Sequence, residues 1–496
     1  MRVALLVVLL TTAVGAEPIK AFCVDFNWGP KGINGFAGPG VWATVKPEES
    51  LAWHRALGAN VIQTFAVSCN GYAWYRSELV PPQPGLASDF LTELVRLGHA
   101  QGVQVMGYFC VGANTRWAQA NPELSYGTPS APHLPLTTTY LDFLCASIAD
   151  ALRRTGMDGF MIDWVWNPNR PKRDGIEVWL PAEQAMFAEL LGTPFPGADK
   201  LTAADRLRCE RAALDRCWRR LRDATRQVKP DALIWLSCHN LRHATVVDSA
   251  LLREVDWLMN ENPNPADLVA VKQMAGPRTT LVQCLVGWGD AHDAGRVLRR
   301  PEYRDLAVYG FVKPGPDGLP LPVATYLAQP IRSFRGNDRN IAVLARWFNG
   351  LAITDPPEVV TAAPDGTLKL LPQTAVLDGF SPVVTQGQIG NWEDPRDTVS
   401  WRLRVARAGE HEVVLVYACP RGQQGSVFAV ELGDQRWPQT SVATGATWRE
   451  YQPRPVGRLH LAAGEHTLTI RPDPAGPWRA ISLQAVELRP VPAAPR

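Results

Sequence analysis

The run DGFMIDWVWNP, residues 158–168, decides the fold. Phe160, Met161 and Ile162 have the near-continuous apolar character of a parallel strand covered on both faces, yet an acid, Asp163, closes the stretch. An ionised carboxylate among apolar and aromatic neighbours is costly unless it is paired or hydrogen-bonded. Asp163 is therefore either a strand-end lock or a working group, and buried acids in clefts favour the second.

Working outward, this run is one of eight. Apolar stretches recur at residues 22–28, 60–68, 103–111, 159–166, 232–240, 256–260, 280–288 and 306–313, with helix-like segments at 47–57, 87–101, 139–155, 203–227 and 245–255 between them. Such alternation predicts parallel βαβ units. Eight units predict an α/β fold, a (β/α)8 TIM barrel, rather than an open doubly wound sheet. The latter advertises a glycine-rich nucleotide loop after its first strand, and GPKGINGFAGPG at 29–40 has neither GxGxxG spacing nor a GK[ST] ending. An eighth helix at 326–351 closes the barrel.

From about Thr361 the period changes to two. WRLRVA, HEVVLVYA, SVFAVEL, RLHLA, HTLTIRP and ISLQAVEL, separated by turns, predict an antiparallel all-β sandwich. The expected organisation is a signal peptide at 1–16, the barrel at 17–351, a linker at 352–372, the sandwich at 373–490 and a loose tail at 491–496.

Of the 496 residues, 46% are hydrophobic and 20% charged, and the net charge is +2, which excludes a nucleic-acid surface and points to a neutral partner. MRVALLVVLLTTAVGA at the start has a basic residue at Arg2, an apolar core at 3–10, and small residues at Val14 and Ala16. That pattern is a secretory signal, and its apolar run is shorter than the roughly 20 residues of a spanning helix. It predicts a secreted or periplasmic protein with no membrane contact after signal removal. Nine cysteines do not make a disulfide scaffold here, because Cys23, Cys110, Cys238 and Cys284 fall inside strand-like runs where a thiol acts as a small hydrophobe. Cys69 and Cys110 close neighbouring strands.

In a TIM barrel the site lies at the C-terminal ends of the strands. Those ends offer Asn27 and Trp28, Ser68 to Asn70, Tyr108, Asp163 to Trp166, His239 and Asn240, Glu261, Trp288 and Lys313. Acids are scarce among them. Glycoside cleavage needs two carboxylates flanking the scissile bond, about 5.5 Å apart for retention and above about 6.5 Å for inversion. Asp163 on strand four and Glu261 after strand six lie two strands apart across one mouth, so both are candidate catalytic residues. Asp25, inside strand one, reads as structural.

Trp28, Trp74, Trp164, Trp166 and Trp288 cluster near strand ends, where an indole supplies an apolar face and one donor, as a sugar requires. With Asn27, Asn70, Tyr108, His239 and Asn240 they form the expected substrate-binding set. His239 and His243 lack a third ligand at metal spacing, so neither metal nor cofactor is implied. The chemistry that pairs Asn-Glu on strand four with a Glu on strand seven does not fit, since Asn-Glu falls on strand six and TTLVQCLVGWGD has no Glu. GxSxG is absent.

With NWG at 27–29, SCNGYAWYRS at 68–77, GYF at 107–109 and GFMIDW at 159–164, the chain resembles the α-L-fucosidase family of glycoside hydrolases. The resemblance implies a barrel whose nucleophile, an Asp ending strand four, is Asp163, with Glu261 as acid/base in a retaining mechanism on an oligo- or polysaccharide. The family has a histidine where this chain has Asn27 and a His-His-Asp run where it has Ser68, Cys69 and Asn70. The C-terminal region, with IGNWEDPRDTVSWRLRV and two AGEH turns, looks like a carbohydrate-binding-type sandwich. A non-catalytic glycan-binding protein on the same barrel is the alternative.

Overall fold

The computed structural model describes residues 17–29, 36–127, 134–165, 170–262, 266–287, 293–300, 306–355, 358–378, 382–385 and 387–492. The expected signal peptide, Trp166, Trp288 and residues 493–496 lie outside them. The chain divides into two compact units, one reaching to Ala294 and resuming from Asp305 to Ile353, the other comprising Gly295–Arg304 and Thr354–Arg496.

The first unit is a closed parallel barrel of eight strands: β1 (Lys20–Val24), β2 (Val61–Gln63), β3 (Gln104–Cys110), β4 (Gly159–Asp163), β5 (Leu233–Cys238), β6 (Trp257–Asn260), β7 (Thr280–Val286) and β8 (Ala307–Val312), with β8 pairing β1. Seven of the expected apolar runs contain one of them, and β1 overlaps the first, beginning two residues before the run at 22–28. The interior is packed: Trp235 of β5 meets the ring of Tyr309 of β8 at 5.2 Å, and the Tyr309 hydroxyl donates to Gln63 of β2 at 2.7 Å. Three strands are thereby tied through the barrel axis.

Local rules place the helices. Pro47–Leu57 starts on a proline, carries Glu48 and Glu49 in its first turn and stops at Gly58 with φ 87°. Ala203–Val228 is capped by the Thr202 side chain, which accepts from the backbone of Asp205. The expected helix at 245–255 contracts to Ala250–Glu254, because Ser249 caps it late and Asp248 takes φ 62° just before. The expected helix at 326–351 is broken into Val323–Ala328, a 3-10 turn at Ile331–Ser333 and Gly336–Phe348, since Pro330 cannot continue a helix.

The second unit is built from two mainly antiparallel sheets. One runs in the order Val359–Thr361, Thr398–Val405, Gly464–Pro472, Val427–Leu432, Gln435–Thr440, and the other Val383–Thr385, Gln388–Gly390, Ser482–Pro490, Gly409–Ala418, Gln452–Leu461. Their inward residues, including Trp392, Trp401, Val413, Leu468 and Leu483, form one buried apolar core. The stretch 352–372 is not wholly linker. Leu368–Leu370 pairs with Ser482–Pro490 and buries both leucines in that core. Residues 491–496 are likewise not all loose, as Val491 donates to the Glu410 carbonyl at 2.8 Å.

Among the described residues no helix is long and apolar enough to cross a membrane. All nine cysteines are buried thiols.

Candidate active site

β4 delivers Asp163 to the rim. Its partner on β3 is Cys110, and the Asp163 carbonyl accepts from Val111 at 2.9 Å, so the strand is fixed up to its last residue. Beyond it the chain turns sharply, with Trp164 at φ 54°, a left-handed conformation unusual for a bulky residue. That turn aims the Trp164 amide back at Asp163 Oδ1, 2.7 Å away, while the Tyr108 hydroxyl donates to Oδ2 at 3.1 Å. Gly112 makes room for it: a Cβ there would stand 2.6 Å from the Trp164 carbonyl oxygen.

The two oxygens thus face donors, which favours the carboxylate, yet Asp163 is pushed up to about 8 by burial first and then by the nearby charge of Glu261. Glu261 follows β6, its amide donating to the Cys238 carbonyl at 3.1 Å. Cys238 closes β5, between the strands that carry the two acids; burial pushes its thiol up to about 12, with Asp163 and Glu261 both adding to the effect. The two acids expected from the sequence therefore close β4 and follow β6 on the same rim of the barrel, and the charge of Glu261 bears on Asp163.

A third acid joins them. Asp25 directly follows β1, and its amide donates to the Val312 carbonyl at 2.8 Å, extending the ladder with β8. Its Oδ1 accepts from the Asn27 amide at 3.0 Å and its Oδ2 from the Trp28 indole at 3.1 Å. Burial, with a contribution from Glu261, raises it to about 7, and Lys313 opposes the rise. Read as structural from the sequence, it belongs with the acids. The signal was available: FCVD at 22–25 has the pattern of FMID at 160–163.

Three aromatic rings pack in series near these acids. Trp28 packs on Phe36 at 5.5 Å, and Phe36 on Trp164 at 5.7 Å. All three are half-buried, leaving apolar surface beside the acids. Phe36 was not expected, since it sits in a glycine-rich loop.

The remaining expected residues divide. Asn27 accepts from the Cys69 amide at 2.8 Å, and Asn70 donates to the Ala37 carbonyl while bonding Gln83 and Tyr72, so both buried amides hold rim loops together. Trp74 is corrected from pocket wall to core: it is 1% exposed, stacks on Phe26 at 4.8 Å and donates to Ser68 Oγ at 2.7 Å. His239 and Asn240 are exposed, with the Asn240 side chain accepting from the Arg242 amide in a turn. Cys69 and Cys110 have thiols within hydrogen-bond reach of each other, and Cys69 lies 3.8 Å from the Tyr108 hydroxyl. Among the described residues no group of three or more His, Cys, Asp or Glu is arranged to hold a metal.

A family model described as hypothetical glycosyl hydrolase 6 matches residues 47–164, a span ending just after Asp163. No curated protein matches the chain. Among solved structures, α-L-fucosidase isoenzyme 2 from Paenibacillus thiaminolyticus is 12% identical, with 92% of this chain and all of that chain (100%) covered at a TM-score of 0.43. A putative α-L-fucosidase from Bacteroides thetaiotaomicron is 11% identical over 95% of both chains, with a TM-score of 0.37. A GH26-CBM35 β-(1,4)-mannanase from Podospora anserina is 16% identical over 26% of this chain, with a TM-score of 0.22. This chain's match spans 29% of that enzyme.

Proposed function

We propose that the protein is an exported retaining glycoside hydrolase, with Asp163 as nucleophile and Glu261 as acid/base, acting on α-L-fucoside-like or related glycans. The observation that supports this reading is that Asp163 closes β4 and Glu261 follows β6 on one rim of the barrel, with the charge of Glu261 adding to the rise at Asp163, near the half-buried rings of Trp28, Phe36 and Trp164. Two facing carboxylates suit displacement at an anomeric carbon: Asp163 attacks, Glu261 protonates the departing oxygen and then takes a proton from water. The rings offer the apolar faces that pyranose C–H groups seek. The glycosyl hydrolase family match over residues 47–164 supports the same class. The sugar stays open within that class because Asn27, which stands where the fucosidase resemblance has a histidine, and Asn70, which stands at the Asp of its His-His-Asp run, are engaged with loop backbone.

The test is hydrolysis of aryl fucosides, galactosides and related glycosides by the wild type and by Asp163→Ala and Glu261→Ala. Each variant is expected to melt like the wild type and to lose activity, Glu261→Ala by about 10²–10⁴-fold. NMR of the first-formed sugar is expected to show the substrate's own anomeric configuration. Wild-type protein that binds glycans but cleaves none across the panel favours the non-catalytic alternative and ends the enzyme reading.

A further inference from the structure

One polar residue interrupts the apolar run of β7: Gln283, within LVQCLV, is fully buried. A buried amide is costly unless its donors and its acceptor are met, so each must find a partner. Its Oε1 accepts from Asn260 Nδ2 at 3.2 Å, and its Nε2 donates to the carbonyls of Asn262 at 2.9 Å and Cys284 at 2.8 Å. Two of these three bonds reach the turn that carries Glu261. There Asn260, which faces Gln283 in the β6–β7 ladder and is itself buried, accepts through Oδ1 from the Asn262 amide at 3.2 Å. The three groups close a ring of hydrogen bonds, and reversing either side-chain amide would set oxygen against oxygen.

We infer that Gln283 is a positioning residue for Glu261, an inference that rests on the glycosidase reading above. A peptide group is planar and rigid, so the Cα–Cβ direction of a residue is set once the peptides on both sides of it are held. Both are held at Glu261. The peptide before it donates its N–H to the Cys238 carbonyl at 3.1 Å, and the peptide after it donates its N–H to Asn260 Oδ1. Gln283 completes the hold from the neighbouring strand, fixing the Asn260 amide on one side and taking the Asn262 carbonyl on the other. An acid/base works only within hydrogen-bond reach of the departing oxygen, and a drift of the turn is carried outward to its carboxyl.

The experiment uses the full chain and Gln283→Met, which keeps the length of the side chain and loses all three of its bonds. In kcat/KM the departure of the leaving group is read, and that step needs a proton most when the leaving oxygen is strongly basic. Hydrolysis is therefore measured, well below the melting temperature, on the dinitrophenyl and the phenyl glycoside of one sugar. Gln283→Met is expected to lose about 10–10²-fold in kcat/KM on the phenyl substrate and about 2-fold or less on the dinitrophenyl one. Amide hydrogen exchange at Glu261 and Asn262 is expected to quicken in the same variant. Equal losses on the two substrates, or exchange that does not change, overturn the inference even if the wild type is an active glycosidase. Faster exchange in a protein whose wild type cleaves no glycoside leaves the hold of Gln283 on the turn standing and ends the glycosidase reading instead. Asn260→Ala, which removes two bonds of the ring, carries the same measurements if Gln283→Met does not fold, and failure of both to fold assigns the ring to the frame and overturns the proposal.

Discussion

At the scale of single residues, Asp163 is a balance between two donors that favour its charge and burial and Glu261 that oppose it. Removing one donor tips the balance in a known direction. In Tyr108→Phe the carboxylate loses a hydrogen bond, so its proton is held to higher pH and the acidic limb of kcat/KM is expected to move upward. Gly112→Ala tests the geometry instead: the added methyl forces the Trp164 carbonyl and the amide aimed at Asp163 to shift, with a fall in kcat of up to about 10²-fold and a lowered melting temperature, since it is backbone that must move. Asp163 was legible because an acid closing an apolar strand needs a reason. Asp25 has the same signature but falls inside the expected run at 22–28 rather than at its end, whereas in the structure β1 stops at Val24 and Asp25 follows it. Trp74 was misread because proximity to a strand end does not say which way an indole faces; Ser68, six residues earlier, satisfies its N–H inside the core.

At the scale of elements, the loop after β4 carries its own lock. Arg170, with a side chain 1% exposed, pairs with Glu183 and with Glu210 and lies 3.9 Å over the ring of Trp179, while the Tyr126 hydroxyl donates to Glu183. Replacing Arg170 by Met leaves the fully buried Glu183 without its cation, at an expected cost of about 3–5 kcal/mol and a fall in melting temperature of roughly 10 °C, read by calorimetry. The sequence could not disclose this network, since its members are joined only by tertiary folding. The eight barrel strands were legible because strands buried on both faces spell themselves out in apolar runs. Gln435–Thr440, by contrast, lies at the edge of its sheet with one face to water, and QRWPQT carries too little apolar character to announce a strand.

At the scale of the whole molecule, the raised carboxyls set a pH dependence of stability. Asp25 and Asp163 hold protons more tightly when folded than their ordinary value of 3.8, so their contribution is fully present below that value. It is lost as the pH climbs through about 7 and 8. Between pH 5 and 8 the denaturation midpoint of the wild type is expected to fall, and that of Asp163→Asn to fall less. Below pH 4 the sign reverses, as Asp394, held down to about 2 by Arg396, begins to lose its charge. The division of the chain carries a different lesson. The second unit includes Gly295–Arg304, residues encoded before the last barrel strand, and Arg300 in that piece lies 3.5 Å from Asp394 and 3.4 Å from Asp397. During synthesis Arg300 is made well before either acid, so the sandwich cannot be completed until its own late strands emerge and recruit the earlier piece. A gene cut at Thr354, the obvious seam for transplanting the sandwich, would leave Arg300 behind and take that cation from the buried Asp397.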